Sequence, residues 1–285
     1  MGCPGENRRQ PIRKMENLMQ EKKAYKSYIV TSCKGGIGKS TVTANLAAAM
    51  ADTGHRVLTV DCDFSNRSLD LIFGCEGEIL ADISELAAGK TTPGKAVVKV
   101  PVKENLFFIP APVQQSERFT SEQLSSAISL AAQEYRCDIV IIDTPGAADW
   151  ILPVIAPAAD AALIVASHMP TSIRAAEKTG FVIGQMGVSE KNLIINRFDE
   201  EKVLSRERPG INRLIDETKV PLIGIIPESR LLELSQEKGV LVSDVKKHRN
   251  PVRDAFSETA RRILGENIKI MSYLPERRRR KLLNS

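Results

Sequence analysis

The chain has 285 residues, 42% hydrophobic and 26% charged, which is too apolar for a disordered chain and long enough for one large α/β domain. No stretch approaches the roughly 18 consecutive apolar residues of a membrane span, and the polar opening Met1–Gln10 lacks the apolar centre of a secretion signal, so residence in the cytoplasm is expected. Cys3, Cys33, Cys62, Cys75 and Cys137 are odd in number and never spaced C-x-x-C, which argues against a disulfide framework or a zinc site.

The net charge of +5 belongs to the two ends. Residues 1–26 carry seven Lys or Arg against three Glu, and residues 269–285 carry six against one, which leaves the central 242 residues at −4. We therefore expect a basic N-terminal extension over 1–26, a folded domain over 27–268 and a polybasic C-terminal tail over 269–285. Such ends suit an anionic surface, membrane or nucleic acid; the plainer alternative is a pair of solvated ends kept soluble by charge. In the extension, Ile12, Met15, Leu18 and Met19 have near-helical spacing, suited to a second surface contact or a partner helix, and Met15 or Met19 is a candidate start of translation.

Along the body, apolar runs recur at Tyr28–Thr31, Val57–Val60, Leu106–Ile109, Ile139–Ile142, Ala161–Ala166, Leu193–Ile195 and Leu222–Ile226. Runs rich in Val and Ile, bounded by turn residues, read as strands buried on both faces. Helical patterns separate them. Over 250–265, Asn250 caps, Pro251 takes the first position, Val252, Ala255, Phe256, Ala260, Ile263 and Leu264 form one stripe, and Gly265 ends it. Alternating strand and helix predicts a single-domain α/β fold, a mostly parallel, doubly wound sheet with helices on both faces. Ligands on such sheets bind beyond the carboxyl ends of the strands.

The loop after the first run reads Ser32-Cys33-Lys34-Gly35-Gly36-Ile37-Gly38-Lys39-Ser40-Thr41, and a helical stripe of Val42, Leu46, Ala49 and Met50 follows. Strand, glycine loop and helix form the context of a phosphate-binding loop. Glycines let backbone N–H groups turn toward phosphate oxygens, the helix N-terminus adds its dipole, Lys39 can reach the β- and γ-phosphates, and the Ser40 hydroxyl can ligate Mg²⁺. An ordinary glycine turn is the competing explanation, and the lysine on each side of the glycines disfavours it. Cys33 stands where the general motif has its first glycine, with Lys34 next to it.

Lys-Gly-Gly-x-Gly-Lys-Ser resembles the deviant Walker A signature of the MinD/ParA ATPases, and the resemblance runs over nearly the whole chain from about residue 27. It implies a P-loop NTPase fold and a slow, partner-stimulated ATPase using ATP and Mg²⁺. It also implies a homodimer in the ATP state, in which Lys34 reaches the partner's phosphates and Gly35, Gly36, Ile37, Gly38, Lys39, Ser40 and Thr41 hold the chain's own nucleotide. Val60-Asp61-Cys62-Asp63 with Leu69-Asp70-Leu71-Ile72-Phe73-Gly74 resembles the first switch region, where Asp63 orients the attacking water; Ser68 departs from the family's usual Asn. Ile139–Asp143 and Thr144-Pro145-Gly146 resemble Walker B and the second switch, so Asp143 is assigned to Mg²⁺ with Ser40. Asn196, in Leu193–Phe198, matches the family's adenine contact, beside the Pro221–Glu228 segment.

By the same resemblance the chain is a spatial regulator, of division-site placement or a similar process, that switches a surface for an effector protein. A ParA-like partition ATPase with DNA-binding ends, a flagellar-placement ATPase and a non-catalytic nucleotide-gated scaffold are the alternatives. The related iron–sulfur carriers need paired cysteines that this chain lacks. Cys33, inside an N–H-rich loop, is either a reactive thiol shielded by nucleotide or a small cysteine with no role. The final segment Tyr273–Leu283 has no helical apolar stripe, so insertion into a membrane is poorly supported, whereas weak peripheral contact with an anionic leaflet fits its charge and DNA fits less well.

Overall fold

The computed structural model describes residues 23–113, 118–146 and 151–284. The seven expected runs are strands β1 (Lys26–Thr31), β2 (Val57–Asp61), β4 (Leu106–Ile109), β5 (Ile139–Asp143), β6 (Ala161–Ala166), β7 (Glu190–Phe198) and β8 (Leu222–Pro227). One further strand, β3 (Val98–Lys99), lies antiparallel on β4; at two residues it is too short to show a periodicity. The sheet order is β3-β4-β2-β5-β1-β6-β7-β8, and all pairings except β3 with β4 are parallel. The helices, in chain order, are α1 (Lys39–Asp52), α2 (Leu69–Phe73), α3 (Ile83–Ala87), α4 (Pro93–Ala96), α5 (Ser121–Glu134) and α6 (Leu152–Ile155). They continue as α7 (Pro170–Gln185), α8 (Glu200–Leu204), α9 (Ile211–Thr218), α10 (Arg230–Gln236), α11 (Pro251–Ile263) and α12 (Glu276–Leu283).

Period-two alternation sorts each strand between two faces. Val30, Val57, Ile141 and Leu163 pack with α1 and α11, while Ile29, Leu58, Val140 and Ala162 pack with α3 and α5. A third cluster joins Ile164, Leu193, Ile195 and Ile225 to α7 and α9. Burial on both faces explains why the runs read as continuous apolar stretches. Helix α1 is buried beyond its predicted stripe, with Ala44, Ala47 and Ala48 also inside, because it is clasped between the sheet and α11. The Asn250 side chain caps α11 by accepting from Arg253 N at 3.1 Å, with Pro251 in the first turn. Strand β1 lies between β5 and β6, so helices leave toward both faces on either side of it, and the loop after β1 opens into the crevice where such sheets bind ligands.

Both expected ends need correction. Lys23–Lys26, read as part of the extension, belong to the body: Lys23 pairs with Asp160 at 2.9 Å and Lys26 opens β1. Residues 1–22, with Ile12, Met15, Leu18 and Met19, lie outside the described residues. The segment expected as a tail over 269–285 is packed through 283. Met271 and Leu282 are buried in the third cluster beside Ile270, Leu274 and Leu283, and Tyr273 packs there too. Arg278 pairs with Glu200 and Glu201 at 2.6 Å each, and Glu276 holds both Arg279 and Arg280. The anchoring apolar groups come mainly from the lead-in before α12, so no helical stripe advertises them.

Candidate functional site

The loop between β1 and α1 is held by one bond of its own and by two neighbours. Ser32 Oγ donates to Lys34 O at 2.7 Å, Cys33 N donates to Thr179 Oγ1 at 2.9 Å, and Asn196 Nδ2 donates to Ile37 O at 2.8 Å. Gly38 has φ 87°, a left-handed conformation that glycine adopts without strain, and a Cβ there would sit 2.5 Å from Asn196 Nδ2. The helix begins at Lys39, so the first N–H groups of α1 have no partner within the helix and face the loop's concavity. Lys39 is buried, 6% exposed, beneath the loop.

Strand register brings the two aspartates together: Asp61 on β2 pairs with Asp143 on β5. Ser40 Oγ donates to Asp143 Oδ2 at 2.6 Å and Thr43 Oγ1 donates to Asp143 Oδ1 at 2.9 Å. Burial pushes the Asp143 carboxyl up to about 6, opposed by the Ser40 and Thr43 hydroxyls and by the charge of Lys39. Burial, then the charge of Asp143, raises Asp61 well above the usual carboxylate range, although Asp61 accepts from Asp63 N at 2.9 Å. Asp63 itself accepts from Ser65 N and Asn66 N at 3.2 and 3.1 Å, which fixes the turn that carries it to the mouth of the loop. The second switch is equally close. A Cβ at Gly146 would lie 2.8 Å from Gly35 Cα and 3.2 Å from Lys39 Nζ, so only glycine lets these two loops meet.

Two contiguous cavities line this edge. One of about 570 Å³ is bounded by Gly35, Lys39, Ser40, Asp63, Pro145 and Gly146. The other, about 660 Å³, is bounded by Gly38, Asn196, Arg197, Pro227 and Glu228. Thr41, Gln236 and Arg197 border both. The first has the shape and donors for phosphates, and the second has room for a base and sugar. The hydroxyl of Ser40 beside the Asp143 carboxylate is a pair of hard oxygen ligands, which fits Mg²⁺, an ion that completes its shell with phosphate oxygens and water.

The predicted residues thus converge, with two qualifications of role. Lys34 Nζ donates to Thr171 Oγ1 at 3.0 Å, at the start of α7, so within one subunit it points away from the concavity. Asn196, expected as a base contact at a strand end, is 3% exposed inside β7 and braces the loop from below. Sequence reasoning missed Thr43, Thr171, Thr179, Gln236 and Arg197. Thr41 Oγ1 donates to Gln236 Oε1 at 2.9 Å, and Arg197 holds φ 53° between the two cavities. These depend on contacts distant in sequence and carry no local signal, except Thr43, one turn beyond Lys39 on α1. Cys33 is half-buried and unbridged, while burial pushes the Cys75 and Cys137 thiols up to about 12.

Comparison with known proteins agrees with this geometry. A family model described as the CobQ/CobB/MinD/ParA nucleotide binding domain matches residues 28–242. The septum site-determining protein MinD of Synechocystis is 33% identical over 248 residues, covering 86% of this chain and 92% of that protein. MinD of Helicobacter pylori is 31% identical over 257 residues, covering 87% and 94%. The MinC:MinD cell division protein complex of Aquifex aeolicus superposes with a TM-score of 0.79 at 31% identity, covering 86% of this chain and 97% of that one. The fold, the site and these likenesses together establish that the chain belongs to the MinD/ParA family of nucleotide-binding P-loop proteins.

Proposed function

We propose that the chain is an ATP-hydrolysing dimeric switch of the MinD type and that it acts as a spatial regulator, with division-site placement as the process. The observation that carries this reading is the junction of Lys39, Ser40 and Asp143 beneath a loop that the glycine of the second switch touches. A γ-phosphate entering that junction would meet Gly146 and so would be felt by the second switch at Thr144-Pro145-Gly146. The names of relatives covering most of the chain, septum site-determining proteins, support the process, and the MinC:MinD neighbour supports an effector protein as partner.

In this reading the N–H groups of Gly35–Thr41 and the Lys39 ammonium hold the phosphates. Ser40 and Asp143 would hold Mg²⁺, which when bound would supply neutralisation of the phosphate charge. Asp63 orients a water for in-line attack on the γ-phosphorus; the bond to the β-phosphate oxygen breaks with its electron pair left on ADP, and the water's proton leaves with the phosphate or to solvent. Asn196, which lines the second cavity, positions the base side. Lys34 leaves Thr171 to neutralise the partner's phosphates, so the dimer exists only with ATP and slow hydrolysis dissolves it. Contact with an anionic membrane, if α12 made it, would draw on arginines already paired to Glu200, Glu201 and Glu276, which disfavours a freely available basic anchor.

Calorimetry with Mg-ATP and light scattering test this directly. Lys39→Ala should remove nucleotide binding, whereas Lys34→Ala should keep monomer binding and lose ATP-dependent dimers. Asp63→Ala should trap dimers by blocking turnover. An absence of binding heat from the unmodified folded chain, or equal loss of monomer affinity in both lysine variants, would overturn the reading.

A further inference from the structure

A second concave site lies at the same end of the sheet, past the N-terminus of α7. It is a cavity of about 830 Å³ walled by Pro170, the turn joining α8 to α9, and α12. Arg206, Arg208, Arg213 and Lys281 line it against Glu207 and Glu217. The acids are engaged: Glu217 pairs with Arg213 at 2.6 Å, and Glu207 accepts from Ser205 Oγ at 2.8 Å. Among the described residues Arg206, Arg208 and Lys281 have no ion-pair partner, and with Arg213 set against Glu207 and Glu217 the lining keeps an excess of two positive charges.

Unpaired surface cations are ordinary; two further observations set this group apart. The Nε of Arg208 is buried and has no hydrogen-bond acceptor, and a desolvated guanidinium donor without an acceptor is costly. Behind it His168 is 5% exposed, its Nδ1 also lacks a partner, and burial together with the charge of Arg208 lowers its pKa. The Arg208 donor is the orphan that an acceptor in this cavity would satisfy; His168 does not line it. Arg206 meanwhile holds φ 65° just past the end of α8, a position where glycine is the usual occupant, and the strained turn keeps its side chain on the rim.

We propose that this cavity is a binding site for a compact, multivalent phosphate ligand, gripped by Arg206, Arg208 and Lys281. Guanidinium forks match phosphate oxygens in pairs, and an excess of two positive charges calls for a ligand that carries more than one negative charge. Enclosure between three elements suits a small molecule better than a flat membrane or a duplex. Because Lys281 rides on α12, the bound ligand also ties the C-terminal helix to the body. The site shares no lining residue with the nucleotide cavities, so it stands apart from the function proposed above.

Inorganic tripolyphosphate is the probe. It is titrated calorimetrically into the full chain carrying Lys39→Ala, which removes competition at the phosphate loop, and into the unmodified chain saturated with Mg-ADP, which guards against misfolding of the variant. Binding is expected in both, weakened more than tenfold by Arg206→Ala with Arg208→Ala, and accompanied by slower amide exchange across 276–283. The proposal is overturned if the arginine substitutions leave the affinity unchanged, or if nothing binds up to about 10 mM. Arginine-dependent binding seen only with vesicles containing anionic phospholipid would assign the site to a membrane surface and would equally overturn a compact free ligand.

Discussion

The phosphate loop and the C-terminal segment are both rich in glycine or charge and both lie outside regular strands, yet they are held by opposite means. In residues 32–41 the backbone is shaped by its own glycines and by the helix that follows, and distant groups such as Asn196 and Thr179 only brace it. In residues 266–284 the path is set by partners far away: Arg278 reaches Glu200 across 78 positions, and Ser272 donates to Glu258 from the next element. The loop exposes its polar groups to a ligand, whereas the segment spends them on the protein. The difference teaches that a charged run is no guide to its own availability until the acids that face it are known.

The sharpest way to break this comparison is to remove the loop's buried cation. Lys39→Ala should weaken Mg-ATP binding by about 1,000-fold, roughly 4 kcal/mol, since a charge-assisted contact to two phosphates is lost where water is excluded. Isothermal titration measures it, and a loss below tenfold would mean that the backbone amides alone hold the ligand.

The next largest effect is a pH dependence confined to the loop. The Asp143 carboxyl is raised from 3.8 to about 6 in the folded chain, so between those values the native state binds more protons than the unfolded one. Stability of the nucleotide-free chain should therefore fall as pH rises through this window, by about 3 kcal/mol from this group, with the penalty absent below the unfolded value and complete above the folded one. Asp61 is raised in the same direction. Denaturant melts from pH 4 to 7 should show the loss in the unmodified chain and a flatter profile in Asp143→Asn, while Mg-nucleotide should remove it by compensating the carboxylate. An Asp143→Asn profile that keeps the full loss seen in the unmodified chain would contradict the burial that the geometry implies.

These expectations also mark what was legible beforehand. The sheet, the helix capped by Asn250 and the loop from Ser32 to Thr41 could be read directly, because each rests on local signals: apolar runs, a capping residue before proline, glycines between lysines. The convergence of Ser40 with Asp143 was legible only through resemblance, since 103 positions separate them and register alone joins them. The bracing role of Asn196, the parking of Lys34 on Thr171 and the docking of α12 were not legible. Each depends on which side chain lies across a packed interface, and nothing in Arg277-Arg278-Arg279-Arg280 distinguishes an arginine in solvent from one paired to Glu200.

Two substitutions sharpen the comparison from the other side. Leu282→Ala should cost about 2–3 kcal/mol, the low end for a fully buried leucine because a terminal helix can detach instead of keeping a cavity. Faster amide exchange over 276–283 with unchanged Mg-ATP affinity would show that the segment's packing is energetically separate from the loop.

Arg278→Ala should do much less. Its side chain is 40% exposed, as is most of Glu201 at 77%, so solvent screens that half of the contact, while Glu200, at 16%, lies in the less screened half. Together the two pairs should be worth about 0.5–1 kcal/mol, and more than half of that should vanish in high salt. The measurement is the stability difference from the unmodified chain at low and high ionic strength, repeated in a Glu200→Gln background. If the arginine matters through Glu200, its effect should nearly disappear in that background; an undiminished effect would place the stabilisation in the packing of its aliphatic stem, and the segment would then be held by apolar contact with charge contributing only orientation.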